Sequence, residues 1–186
     1  MGNRWGLDGL PLEAYSRVTS ADRFQPVHDF SLALLARLTS EFDVQRTEGY
    51  GLDSELEVPH IVRPTVKLAP GDSRAAPIVV AFNSFPAIWV RFGRWRTDPF
   101  PSCGCDACDA TAEGECERLA EAVGCLIDGR FREAIKLPLI GKARHEWGER
   151  SPDGRSSGWA QLDRARARRM IGGGDRSFEW QPWQRR

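Results

Sequence analysis

Val62-Arg63-Pro64-Thr65-Val66-Lys67-Leu68, then Pro77-Ile78-Val79-Val80-Ala81-Phe82, then Ile88-Trp89-Val90-Arg91-Phe92-Gly93-Arg94-Trp95-Arg96 form the stretch that decides the fold. In the first segment Val62, Pro64, Val66 and Leu68 alternate with Arg63, Thr65 and Lys67, the period of a strand with one covered face. Pro64 cannot donate a ladder hydrogen bond, so this strand is expected at an edge. Gly71-Asp72-Ser73-Arg74 supplies turn chemistry, and residues 77–82 return as an apolar, β-branched strand. Ile88, Val90 and Phe92 share one face of a third strand running to Arg96, with a bulge or bend near Gly93. The expectation is a three-stranded antiparallel meander, with Arg91, Arg94 and Arg96 near its exposed side or its end.

Outward from the meander, the apolar period changes. From Gln25 to Phe42, the residues Val27, Phe30, Leu34, Leu35, Leu38 and Phe42 recur at three- and four-residue spacing and predict one helical face, with His28 beside it as a structural residue. A second helix is predicted over Thr111 to Asp128. Its Ala112, Cys116, Leu119, Val123 and Ile127 point inward, and Glu113, Glu115, Glu117 and Glu121 cover the rest. Cys125 falls about half a turn out of phase with Cys116, so the two do not serve one site. Between Glu41 and Pro59 the reading is a short strand around Val44 and then a loop. Phe131 to Ile140 reads as one more helical turn before Pro138.

Ala143, His145 and Trp147 then alternate with Arg144 and Glu146. With the turn Ser151-Pro152-Asp153-Gly154 and a strand near Ser157 to Leu162, they predict a second hairpin. Asp163 caps a short basic helix, Arg164 to Ile171, stopped by Gly172-Gly173-Gly174. An N-terminal arm with a helical turn near Leu12 to Arg17 is expected to be anchored by Trp5 and Tyr15. The aromatic tail, with Phe178, Trp180, Pro182 and Trp183, is expected to dock on the body. The fold class predicted is α+β. Residues 1–186 form a single domain, in which an antiparallel sheet made of the meander and the later hairpin is packed by the two main helices.

Composition narrows the function classes. The 186 residues, 41% hydrophobic and 28% charged, suit one cored domain and exclude a wholly disordered chain. No apolar run reaches the ~20 residues of a membrane helix and the N-terminus lacks signal-peptide features, so a cytoplasmic protein without a membrane partner is expected. The net charge is zero, but residues up to Gly129 carry 12 basic and 19 acidic side chains, and the rest carry 14 and 7. Packing of one half against the other accounts for this split. Nucleic acid is not an expected partner, although Arg164, Arg166, Arg168 and Arg169 with Trp180 or Trp183 make the weak signal for one.

The chemically specific stretch is Phe100-Pro101-Ser102-Cys103-Gly104-Cys105-Asp106-Ala107-Cys108-Asp109, which holds three of the five cysteines. Reduced thiols at this spacing, with Gly104 allowing a sharp turn, fit one zinc ion bound by Cys103, Cys105 and Cys108. The fourth ligand is left open among Asp106, Asp109, His60, His145, Cys116 and water. Three thiolates reduce the Lewis acidity of the metal, which favours a structural over a catalytic ion. Cys105-Asp106-Ala107-Cys108 before a helix also allows a thiol redox reading, weakened by Asp106, Asp109, Glu113 and Glu115. A third reading is three reduced cysteines in a connecting turn. No catalytic residue and no organic cofactor site is assigned, since no nucleophile elbow, H-E-x-x-H helix or Walker lysine is found.

Glu48-Gly49-Tyr50-Gly51, Val90-Arg91-Phe92-Gly93, the cysteine stretch and Ser151-Pro152-Asp153-Gly154-Arg155-Ser156-Ser157-Gly158 together resemble an uncharacterised family, a bacterial and mainly actinobacterial domain of unknown function. The resemblance covers nearly the whole chain and implies a single intracellular domain, with no activity or site to carry over. The functional expectation is therefore a non-enzymatic, metal-stabilised binding or interaction protein. The alternative is a metal-dependent or thiol redox enzyme using the same cysteines.

Overall fold

The computed structural model describes residues 12–15, 17–52, 56, 58–151 and 154–186. Trp5, and Pro152-Asp153 at the centre of the later turn, lie outside them. Helix α1 spans Gln25–Glu41, with Pro26 in its first turn, where a missing N–H costs nothing. It buries Val27, Leu34, Leu35 and Leu38, the stripe that the sequence predicts. His28 lies on the same face and its Nε2 is 2.8 Å from the Ala87 carbonyl oxygen, a satisfied structural histidine as expected.

The meander is larger than predicted. Strands β1 (Val44–Gly49), β2 (Thr65–Pro70), β3 (Ile78–Asn83), β4 (Ala87–Phe92) and β5 (Arg96–Phe100) pair antiparallel in sequence order. β2 is flanked on both sides, so the edges are β1 and β5; Pro64 precedes the strand, and Val62 is exposed. Gly93 is no bulge. It opens a turn, with φ +64°, that folds Arg96–Phe100 back on β4, Phe92 pairing with Arg96. Central β3 is buried on both faces: Ile78, Val80 and Phe82 join the main core, and Val79 and Ala81 pack with Leu56, Val58 and Trp89.

Helix α2 (Ala112–Ile127) begins at Thr111, whose hydroxyl accepts from the Gly114 N–H at 3.1 Å. Glu115, expected outside, is buried. It accepts from Arg118 at 2.6 Å, and that guanidinium stacks on Phe100 and donates to the Pro99 carbonyl, tying α2 to β5. Residues 131–136 form a strand instead of a helical turn: β6 (Phe131–Lys136) alternates burial with period two, placing Phe131, Glu133 and Ile135 inward.

β6 pairs with β7 (Ala143–Ser151), which forms the expected hairpin with β8 (Gly154–Leu162); β9 (Arg176–Glu179) closes the other edge. The meander and the later hairpin thus occupy two sheets, of five and four strands, in an α+β fold. α3 (Arg164–Ile171) is capped by Asp163 as predicted, the carboxylate accepting from the Arg166 N–H at 2.9 Å. One apolar cluster unites α1, α2, both sheets and the tail. Trp180 and Trp183 are 4% and 5% exposed, the indole of Trp183 donating to the Ala76 carbonyl at 2.8 Å.

Candidate metal centre

β5 ends at Phe100, α2 starts at Ala112, and the residues between them present the cysteines. A short 3-10 turn, Asp106–Cys108, brings Cys105 and Cys108 to one side, and Asp109 leaves it with φ +49°. Gly104 is required by close approach and not by a left-handed backbone. A Cβ there would lie 2.3 Å from the ring of Phe85.

Cys105 Sγ lies 3.2 Å from Cys103 Sγ and 3.3 Å from Cys108 Sγ, and all three sulfurs fall within 4.8 Å of one another. These distances exclude a disulfide, whose sulfurs are about 2.05 Å apart. Cys105 is buried, Cys103 half-buried and Cys108 exposed, so the cluster opens toward solvent on the Cys108 side. Hydrogen bonds from Cys103 and then Cys108 hold the Cys105 thiol below its ordinary pKa. Cys103 first and then Cys105 push Cys108 up to about 12. The neighbouring thiols thus ease ionisation of Cys105, and a second charge so close is resisted at Cys108.

Of the candidate fourth ligands, none joins the three sulfurs among the described residues. Asp106 is the clearest correction, because its carboxylate is 1% exposed and fully engaged elsewhere. It accepts from the Thr19 N–H at 2.9 Å, from the Thr19 hydroxyl, from Arg17 Nε at 3.1 Å and from Arg23 at 3.5 Å. These bonds, those from Thr19 foremost, hold its carboxyl well below the usual carboxylate range. The Asp106 N–H donates to the Arg17 carbonyl at 2.9 Å, and Arg23 donates to the Gly104 carbonyl at 3.1 Å. The cysteine turn is thereby clamped to the segment before α1. Ala14, in the helical turn Leu12–Tyr15, packs on Cys105 and Ala107, whereas Tyr15 is exposed.

Asp109 and His60 are exposed, each with a left-handed backbone. Cys116 is half-buried on α2. His145 is buried on β7 between Trp95 and Trp147, 3.7 Å from Glu133. Clefts of about 600, 540 and 520 Å³ lie elsewhere, and no cysteine lines them.

The sequence reading passed over Glu133. Buried at 2% exposure, it accepts from the N–H groups of Arg94, Trp95 and Arg96 at 2.7, 3.0 and 3.3 Å, and from the Trp180 indole at 3.2 Å. A glutamate from the second sheet thus holds the β4–β5 turn of the first. Its signal is a lone acid on the inward side of the period-two run Phe131, Glu133, Ile135.

The chain matches, over residues 1–186, the family described as a family of unknown function, DUF6226. It belongs to this family. Comparisons with curated proteins and with solved structures find no match. The candidate centre in this DUF6226 chain is accordingly argued from its own geometry.

Proposed function

We propose that this is a non-enzymatic binding or interaction protein in which one zinc ion, held by Cys103, Cys105 and Cys108, fastens the N-terminal segment to the junction of β5 and α2. The convergence of the three sulfurs carries the reading. A tetrahedral ion with bonds of about 2.3 Å separates its sulfurs by about 3.8 Å, within the span observed. The ion would offset the repulsion that resists a second and third thiolate. The clamp through Asp106 supports a structural role, since the same turn positions Arg17, Thr19 and Arg23. Free thiols fit a reducing, cytoplasmic setting, and the excess of arginine over lysine fits a high-G+C bacterial genome.

The thiol redox reading is weaker on the same geometry. Exchange needs an accessible thiolate, but Cys105, the thiol whose pKa is lowered, is buried and the exposed thiol, Cys108, is the one that resists ionisation.

Protein purified under reducing conditions, without a metal-recruiting tag or chelator, should contain about one zinc per chain by elemental analysis. Cys105→Ser should lose the metal and lower the melting temperature together, because metal affinity at a structural site is folding free energy. Metal-free protein of normal stability would overturn the proposal.

A further inference from the structure

The six-residue connection between β6 and β7 presents the two most exposed aliphatic side chains among the described residues. Leu139 is 98% and Ile140 92% accessible. Single exposed apolar residues are ordinary, but this pair sits on a tip that the fold holds in place. The Arg164 guanidinium, at the start of α3, donates to the carbonyls of Pro138, Gly141 and Leu139 at 2.6, 2.9 and 3.4 Å. Asp175 accepts from the Leu137 N–H at 2.9 Å and pairs with Lys136 at 3.3 Å. These bonds fix the backbone without covering the side chains.

The surroundings of the tip are cationic. Lys136 and Arg144 are the last register pair of β6 and β7 on the uncovered face of the second sheet, and Lys142 is exposed beside them. The nearby acids are committed, Asp175 to the loop and Asp163 to the cap of α3; Glu146 lies half-buried one row back. In that row on β8 stands Trp159, 62% exposed, with the Arg144 guanidinium 5.8 Å from its ring.

An aliphatic tip with Lys142 and Arg144 beside it matches the first two layers of a bilayer surface, acyl chains and anionic headgroups. A second copy of the chain fits less well, because a symmetric contact at the tip brings Lys136, Lys142 and Arg144 toward their own counterparts. We propose that the Leu139-Ile140 tip docks this protein peripherally on an anionic lipid surface, inserting the two side chains while Lys142 and Arg144 meet the headgroups. Since the tip belongs to the β6–β7 connection, the inference stands independently of the zinc centre.

Co-sedimentation of the full chain with vesicles of phosphatidylcholine alone, and with vesicles enriched in phosphatidylglycerol, tests it. Binding is expected only to the second, and it should weaken as salt rises. Leu139→Ser with Ile140→Ser should lower that affinity about tenfold or more, and Lys142→Gln with Arg144→Gln should abolish the preference for anionic vesicles. All four sites are exposed, so unchanged circular dichroism and melting curves are required of the variants. Absence of binding, equal binding to both vesicles, or variants that bind like the parent would overturn the proposal. Loss of a dimer in the serine variant without vesicle binding would also overturn it, assigning the tip to self-association.

Discussion

Asp106, between Cys105 and Cys108 in sequence, ties the cysteine turn to the segment before α1. Its carboxylate is the common acceptor for Arg17, Thr19 and Arg23, residues 83 to 89 positions away in the chain. Asp106→Asn keeps the shape but removes the charge, and a charge-assisted hydrogen bond is about twice as strong as a neutral one. Amide exchange at Thr19 should therefore accelerate about tenfold, and trypsin should cut faster after Arg17. Unaltered exchange at Thr19 would mean that the clamp holds nothing. Gly93 is the second residue with a sharp expectation. Its φ of +64° disfavours any side chain, and a Cβ would stand 2.4 Å from Glu133 Oε1 and 3.0 Å from Trp180 Nε1. Gly93→Ala should destabilise the fold by about 3 kcal/mol, read as a lower urea midpoint at unchanged slope. A midpoint equal to the parent's would show that Glu133 can move aside.

Among the elements, the C-terminal tail is the firmest test of packing. Trp183 fills the core beside Phe42, and its indole donates to Ala76. Trp183→Ala should cost about 3–5 kcal/mol, and removal of Phe178 to Arg186 should lower the melting temperature further; an unshifted melting curve would refute the tail's role. The elements also show what a sequence can and cannot reveal. α1, β3, β4 and the β7–β8 hairpin were legible because their periods are clean and their turn residues local. β6 was not. Phe131, Ile135 and Leu139 recur every fourth residue and mimic a helix, yet Leu139 points into solvent while Glu133 points inward. β5 is hidden because Gly93 reads as a bulge or bend within one strand, whereas it turns the chain to start another. The cysteine cluster was legible from spacing alone. The Asp106 clamp was not, because no local pattern announces an acceptor whose donors arrive from the other end of the first half.

Over the whole molecule, apolar packing joins the acidic and basic halves more than charge does. Phe131, Trp180 and Trp183 share one cluster with Leu35, Val66 and Phe92, whereas Glu41–Arg185, Arg96–Glu149 and Asp128–Arg130 are the ion pairs that cross the divide among the described residues. Fragments 1–129 and 130–186 expressed separately should therefore show no cooperative unfolding, and each should bind a hydrophobic dye. Cooperative melting of either fragment alone would show that the halves are independent units. Of the α3 arginines, Arg164 is spent on loop carbonyls. The full chain should not bind duplex DNA or RNA at physiological ionic strength, and tight binding with a steep salt slope, lost when Arg164, Arg166, Arg168 and Arg169 become Gln, would contradict this. The last residues carry one more implication. The Asp43 N–H donates to the Gln184 carbonyl, the Arg186 N–H to Glu41, and the Trp183 N–H to Ile127. The entry to β1 and the end of α2 thus take their partners from residues 183–186. Residues 183–186 must leave the ribosome before the nascent chain can close its core; until then Phe42 and its neighbours are surfaces for a chaperone to guard.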